Sequence, residues 1–273
     1  MASINPVNSA LPPISVVVVL YNDRVGNISC LATALASPWV KEVIVCDNST
    51  GLNDNAYESE EFGATYISMK GNAGLPAAYS EGVRKSTGEI ICFFDDDTVV
   101  TESYFSAIAR KFSQNKALKI GLPLVMADNL VLSPCEYNGI KAKAFASPSD
   151  ITDSARLSGI NSGMAVRREV FAVVQHDRGL FLDFVDHKFI EDARKKGVVV
   201  SYIEGPILKQ NLSLKTDNMS QALARYRLYV TDSKYYFSGP LHRRLCGFSL
   251  RAYRAVKLGL RYKTSAFIRK GTY

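Results

Sequence analysis

No acidic residue follows Asp232, whereas ten basic ones do: Lys234, Arg243, Arg244, Arg251, Arg254, Lys257, Arg261, Lys263, Arg269 and Lys270. The net charge is +7, so the chain up to Asp232 holds 23 basic against 26 acidic residues, and all excess positive charge sits in the tail. Long apolar runs are also missing. The longest, Ile14 to Tyr21, is far too short for a bilayer, which takes about 20 apolar residues. Met1-Ala-Ser-Ile-Asn-Pro has neither a basic start nor an apolar core, and is read as holding no signal peptide. Cysteine is sparse. Cys30, Cys46, Cys92, Cys135 and Cys246 are odd in number and scattered, which excludes a disulfide framework or a thiolate metal site and fits reduced, mostly buried thiols of a cytoplasmic protein. Neither an internal repeat nor a low-complexity stretch is present.

What the chain does have is the run Ile90-Ile-Cys-Phe-Phe94, stopped abruptly by Asp95-Asp96-Asp97. Five apolar residues predict a strand buried on both faces. Three adjacent carboxylates repel one another, and partial burial adds to the cost. A divalent cation offsets that cost, because Mg²⁺ and Mn²⁺ take carboxylate oxygens. The plainer alternative is a solvated acidic turn. Alternate side chains of an extended segment share a face, so Asp95 and Asp97 are placed to address one cation and Asp96 to meet another partner.

The first half alternates between strand and helix patterns. Strands are predicted over Ile14–Leu20, Lys41–Cys46, Thr65–Met69 and Ile90–Phe94. Helices are predicted over Val25–Ala36, Leu75–Ser86 and Glu102–Gln114, the last with Thr101 as its N-cap. Such alternation implies a mostly parallel α/β sheet with right-handed crossovers, whose ligands bind beyond the carboxyl ends of the strands. Tyr21-Asn22-Asp23, Asp47-Asn48-Ser49 and Asp95-Asp96-Asp97 therefore converge on one edge. Asp47 there is either a hydrogen-bond acceptor for a ribose or base, or a turn-capping aspartate. Gly71-Asn72-Ala73-Gly74 allows close backbone approach before a helix N-terminus that favours phosphate, although such a loop also serves as an ordinary turn. Further on, Gly121–Met126 and Leu130–Leu132 read as short strands and 135–156 as a surface excursion. Gly159–Arg167 reads as a strand leading into a short helix, Phe181–Lys196 contains a helix, and Val198–Ile203 is a strand.

Together these motifs resemble glycosyltransferase family 2, the inverting nucleotide-sugar transferases of the GT-A fold. The matching stretches are Val16–Asn22, Val45–Ser49, Gly71–Leu75 with Ala78 and Gly82, and Phe94–Asp97. Ser162-Gly163-Met164 resembles the family's acceptor-side segment. Leu182-Asp-Phe-Val-Asp186 resembles the Val-Asp motif of bacterial rhamnosyl- and galactofuranosyltransferases of surface polysaccharide assembly. The resemblance covers about residues 14–210. It implies a Rossmann-like sheet flanked by helices, with a nucleotide-sugar-binding half (10–125), an acceptor half (126–230) and a basic helical tail (231–273). It implies Asp95 and Asp97 as metal ligands for Mg²⁺ or Mn²⁺, and Asp96 beside the ribose. Tyr21, Asn22, Asp47, Asn72 and Gly74 would line the donor site, and Asp186 would be the general base.

The implied reaction is inverting transfer from a nucleotide-diphosphate sugar, dTDP-rhamnose or UDP-galactofuranose, to a hydroxyl of a growing, polyprenyl-diphosphate-linked glycan. Asp186 has a second reading as a helix N-cap, and Glu191-Asp192 lies too near Gly197 to replace it. Departures from the family are Phe189, Glu191 and Asp192 where Trp and Leu-Arg are common, and Gln210 where a metal-binding histidine is expected. His187, beside the base, reads either as facing the acceptor or as an exposed surface histidine, the latter favoured.

If 241–262 is helical, Leu241, Leu245, Phe248, Ala252, Val256 and Leu260 form one stripe, with the arginines and Lys257 opposite and Leu250 and Leu258 interrupting the basic side. That pattern fits either a helix lying on an anionic membrane at the inner face of the cell membrane, or one packed on its own domain or at a homodimer interface. No nucleic-acid recognition motif accompanies the charge, and no such partner is expected. Two rival functions remain. Asp95-Asp-Asp-Thr-Val99 also satisfies the Asp-x-Asp-x-Thr/Val signature of haloacid-dehalogenase phosphatases, with Asp95 as nucleophile. The departures near Asp186 leave room for a non-catalytic glycan- or nucleotide-binding relative.

Overall fold

The structure is a computed structural model that describes residues 11–51, 53–210 and 218–271. The N-terminal stretch read as lacking a signal peptide lies outside them. Strands β1 (Ile14–Leu20), β2 (Val40–Asp47), β3 (Thr65–Ser68) and β4 (Ile90–Asp95) alternate with helices α1 (Leu31–Ala36), α2 (Asn55–Phe62) and α3 (Leu75–Lys85). Helix α4 (Glu102–Gln114) leads to β5 (Ile120–Ala127), and β6 (Leu130–Ser133) folds back on β5. Strand β7 (Cys135–Tyr137) pairs with β8 (Ala142–Ala144) and β9 (Leu157–Ser158) in a small separate sheet. Then follow β10 (Ala165–Arg167), α5 (Val185–Lys195), β11 (Val200–Lys209), α6 (Met219–Tyr236), α7 (Leu241–Tyr262) and α8 (Ala266–Gly271).

The main sheet runs β11-β5-β10-β4-β1-β2-β3, and β1 to β4 are all parallel. Only β10, between β4 and β5, and the outlying β6 run the other way. Every residue of β1 is buried. Its alternation explains why: Val16, Val18 and Leu20 pack with Leu31 of α1 and Tyr104, Phe105 and Phe112 of α4. Val17 and Val19 pack on the opposite face with Tyr79 of α3 and Phe189 and Ile190 of α5.

Several expectations are revised. The helix predicted over Val25–Ala36 is broken: Val25–Asn27 is a single 3₁₀ turn and the α-helix begins at Leu31. The Ser29 N–H donates to the Asp96 carbonyl (2.9 Å), so the intervening backbone serves the aspartate turn instead of a helix. Helix α2 was not anticipated, because Asn-Ala-Tyr-Glu-Ser-Glu-Glu-Phe has no apolar stripe. Of the strand predicted over Gly159–Arg167 only Ala165–Arg167 (β10) forms, followed by a short 3₁₀ helix at Arg168–Ala172; the residues between β9 and β10 are a loop that carries Asn161 and Ser162. Part of the 135–156 excursion is the second sheet. Strand β11 continues six residues past Ile203 after a register shift. Helix α6 lies where no element was predicted, and the boundary drawn at 230/231 falls within it.

Helix α7 spans the predicted range, and its packed side combines Gly247, Ala255, Leu250 and Leu258 with Arg243, Arg251 and Arg254. The Arg254 guanidinium lies 4.0 Å from the Tyr229 ring centroid, and Arg243 lies over Tyr236 and Phe237 at 5.4 and 5.8 Å. Arg254 also approaches Asp183 (3.4 Å), and Arg251 donates to Ser233 Oγ (3.2 Å). Leu250 and Leu258, which interrupt the basic side in sequence, are partly buried against α6 and its neighbours. Among the described residues no helix is long and apolar enough to cross a membrane. All five cysteines are free thiols, four of them buried.

Candidate functional site

Parallel register brings the three polar clusters to one edge. Leu20 pairs with Asp47, and Val19 with Asp95, so the residues that follow β1, β2 and β4 emerge side by side. Beyond this edge lies a cavity of about 560 Å³ lined by Tyr21, Tyr79, Asp95, Asp96, Asp97, Asn161, Asp183, Asp186, Gln210 and Arg225, among others. It adjoins a second cavity of about 370 Å³, lined by Asn48, Asn72, Gly74, Phe181, Gln221 and Leu228. Tyr21, Val19, Leu75, Leu182 and Arg225 line both. Five carboxylates thus face the larger cavity, and Arg225 is its one lining cation among the described residues.

Asp95 is held from three sides. Tyr79 donates its hydroxyl to Oδ1 (3.3 Å), while Ser162 Oγ and the Gln210 amide (3.0 Å) both donate to Oδ2. The same Gln210 nitrogen reaches Asp97 Oδ1 at 3.5 Å. Asp96 points toward β1 and accepts the Tyr21 N–H (3.3 Å). Burial, together with Asp95 and Asp97, pushes its carboxyl up to about 6; Asp97 is raised by burial and by Asp95.

Asp186 sits in the first turn of α5, next to the cavity, and is not the N-cap. That position belongs to Phe184, in a left-handed conformation (φ 66°). Burial, with Asp95 adding to it, pushes the Asp186 carboxyl up to about 7, against an opposing hydrogen bond from the Asn161 backbone; the Asn161 side-chain amide also donates to Oδ1. Glu191 and Asp192 are engaged elsewhere: Glu191 accepts from the Tyr236 hydroxyl (2.7 Å), and Asp192 pairs with Lys188 and Lys195. His187 is not a surface histidine. Its ring stacks on Tyr137 at 4.0 Å and its Nδ1 shares a hydrogen bond with Ser158 (2.7 Å); burial pulls it down to about 4, so it is neutral.

The remaining predicted residues divide into two sets. Tyr21, Asn72 and Gly74 line the cavities. Asp47 and Asn22 do not. The Asp47 side chain is buried and accepts from the Ser49 N–H (2.8 Å), Asn53 (3.1 Å), Asn55 (3.0 Å) and Tyr66 (3.0 Å). Burial alone would raise its carboxyl, and these donors outweigh that and lower it. Asn22 accepts from Thr50 and receives no cavity exposure. Gly74 (φ 84°) is pressed against Phe181: an added Cβ would lie 2.8 Å from that ring, and the Leu75 N–H donates to the Phe181 carbonyl (2.8 Å). One amide of the helix N-terminus is therefore already satisfied.

Sequence reasoning missed Tyr79, Asn161 and Arg225. Tyr79 reads as a core residue on α3, and Arg225 comes from the unpredicted α6. Asn161 alone had a signal, its place beside Ser162-Gly163. Asp232, the last acidic residue, is fully buried and accepts the N–H groups of Phe181 (2.9 Å), Leu182 (2.8 Å) and Asp183 (2.8 Å). It thereby fixes the segment that enters α5.

Two carboxylates on one strand end are hard oxygen donors and fit Mg²⁺ or Mn²⁺. Among the described residues no group of three or more His, Cys, Asp or Glu side chains is arranged to hold a metal ion. Asp95 and Asp97 thus match the manner in which Mg²⁺ is held by one or two carboxylates, with substrate phosphates and water completing the shell.

The architecture and the carboxylate-lined cleft define a GT-A-like α/β protein. Residues 15–132 match the family described as glycosyl transferase family 2, the family that the motifs at 16–22, 45–49, 71–75 and 94–97 resemble. No curated protein matches the sequence. Solved structures match over most of the chain. A crystal structure of GalNAc-T7 with UDP, GalNAc and Mn²⁺ aligns at TM-score 0.62 and 13% identity, over 95% of this chain and 56% of that one. S. aureus TarS aligns at TM-score 0.53 and 14% identity, over 89% of this chain and 43% of that one. TarS 1–349 aligns at 0.54 and 12%, over 92% and 72%. At these identities the likeness establishes the fold. The chain spans about half the length of the first two.

Proposed function

We propose that the protein is a metal-dependent, inverting glycosyltransferase that moves a sugar from a nucleotide-diphosphate donor to an acceptor hydroxyl. The observation that carries this reading is one cavity lined by both Asp186 and the Asp95–Asp97 cluster. The smaller cavity, with Tyr21, Asn48 and Asn72, suits the nucleoside, and the larger suits the diphosphate, sugar and acceptor. Asp47, with its oxygens saturated by protein donors, supports the nucleoside end by fixing the strand edge.

Asp95 and Asp97 would hold Mg²⁺ or Mn²⁺, which when bound supplies charge to stabilise the departing diphosphate. The GalNAc-T7 structure was solved with Mn²⁺. Arg225, the lining cation, is suited to the same diphosphate by its planar donor array. Asp186 removes the proton from the acceptor hydroxyl as that oxygen attacks the anomeric carbon opposite the leaving diphosphate, which inverts the configuration. A carboxyl raised to about 7 is a stronger base than an ordinary aspartate and is substantially ionised near neutrality. The Leu182–Asp186 motif favours dTDP-rhamnose or UDP-galactofuranose as donor, and a lipid-linked surface glycan as acceptor.

The phosphatase reading has lost its footing, because the fold is GT-A-like. The deciding experiment is Asp186→Asn with a panel of nucleotide-sugars, in Mn²⁺ and in Mg²⁺. Donor binding by thermal shift should persist while transfer falls by at least a thousandfold. Retained transfer would move the base elsewhere, and the absence of transfer by the unaltered protein with every donor would favour the non-catalytic binding relative. Asp97→Ala should abolish the metal-dependent part of donor binding.

A further inference from the structure

Helix α7 packs Arg243, Arg251 and Arg254 against the protein beside Gly247 and Ala255, and turns its apolar stripe outward. Leu241, Leu245, Phe248, Val256 and Leu260 are 51–76% exposed, and Tyr253 beside them 69%. Single exposed apolar residues are ordinary; a stripe of five large ones along a 22-residue helix is not. At 100° per residue, the exposed Arg244 and Lys257 stand on opposite borders of this stripe, and Lys263 is exposed just beyond its end. No carboxylate follows Asp232 to neutralise them.

We propose that this face is a docking surface for an anionic phospholipid bilayer. Helix α7 lies in the plane of the interface, with Leu245, Phe248 and Val256 entering the boundary between headgroups and acyl chains. Arg244, Lys257 and Lys263 meet the headgroup phosphates, each strengthening attraction to a negative surface. The charges select this occupant over a second copy of the chain. Joining two such stripes would set one basic border against another, with no acidic residue on α7 or α8 to relieve it. The orientation is set by the arginines: Arg243, Arg251 and Arg254 are committed to Tyr236, Ser233 and Tyr229, which leaves the apolar side free to face lipid. The inference deepens the proposed function by stating where a lipid-linked acceptor is met, and rests on that reading only for its purpose.

The test is co-sedimentation of the full chain with vesicles of phosphatidylcholine alone and of phosphatidylcholine mixed with phosphatidylglycerol. Binding to the anionic vesicles should be at least tenfold tighter, should weaken as salt rises, and should fall at least tenfold in the triple variant L245E/F248E/V256E. These positions are exposed, so the variant should unfold at the unaltered temperature. As an independent readout, Phe248→Trp should give an emission that shifts to the blue on mixing with anionic vesicles alone. Equal binding to both vesicle types, binding unaffected by the triple variant, or no binding would overturn the proposal. So would a concentration-dependent dimer that the triple variant dissociates. Donor binding measured on the same samples separates the two readings, since it depends on Asp97 and not on α7.

Discussion

Asn161 donates its side-chain amide to the Asp186 carboxylate, joining the loop between β9 and β10 to the first turn of α5. Burial and the nearby Asp95 keep the proton on Asp186, and the Asn161 backbone N–H opposes them; the side-chain amide donates to the same carboxylate. Since a general base acts only when ionised, transfer should rise with pH through about 7 and level off above it. Asn161→Ala removes the side-chain hydrogen bond and leaves the backbone one, so the acid limb should move to higher pH by up to about one unit, the worth of a hydrogen bond to a charged group. The pH dependence of kcat for the two proteins measures this. An unmoved limb would dissociate Asn161 from the proton-accepting group.

Arg225 faces both cavities from α6, and its Nε is buried without a hydrogen-bond partner. Arg225→Gln keeps much of the volume and removes the charge, so donor affinity should fall about tenfold or more, consistent with loss of one charge-assisted contact. The loss should be smaller for the free nucleoside, which has no phosphate. Titration with the nucleoside and the nucleotide-sugar distinguishes these outcomes.

Asp232 binds three consecutive backbone amides ahead of α5. Asp232→Ala strands those donors in a buried site, which should cost about 2–4 kcal/mol in denaturant unfolding. Because the same segment leads to Asp186, kcat should fall further than donor affinity does. Asp232→Asn retains one acceptor oxygen and should recover part of both losses.

Gly71 and Gly74 bracket one loop and both have positive φ (111° and 84°), yet their surroundings differ. An added Cβ at Gly71 meets nothing within 4 Å, whereas at Gly74 it collides with Phe181. Gly71→Ala should therefore cost about 1 kcal/mol of backbone strain, and Gly74→Ala about 2–3 kcal/mol or more once the clash is added. Gly74→Ala should also disturb donor binding, because that loop lines the smaller cavity. Thermal unfolding of the two variants side by side is the measurement.

The parallel half of the sheet was legible because β1 and β4 are buried on both faces and end, like β2, in a polar cluster. Val16 to Leu20 and Ile90 to Phe94 are continuous apolar runs, and the residues after them are forced to the strand ends by connectivity alone. Helix α2 escaped notice because its residues are nearly all polar, and the loop at Asn161 because a strand pattern runs through it. The extent of α7 followed from its periodicity. Its orientation did not, since Arg243 and Arg254 pack on Tyr236 and Tyr229 beside Leu250 and Leu258, which leaves the longer apolar stripe outside.

The sequence by itself determined the α/β order, the aspartate cluster at 95–97 and the asymmetry of charge, because each depends on local pattern or on composition; Asp186 as candidate base came from the family resemblance. Tertiary structure decided which groups share the cavity. It seated Asp47 among four donors away from the cavity, brought Arg225 and Asp232 to the site from a helix outside the family motifs, and raised Asp186 by burial beside Asp95. Those outcomes depend on contacts between residues far apart in the chain, and on the burial and electrostatic field that only the folded arrangement creates.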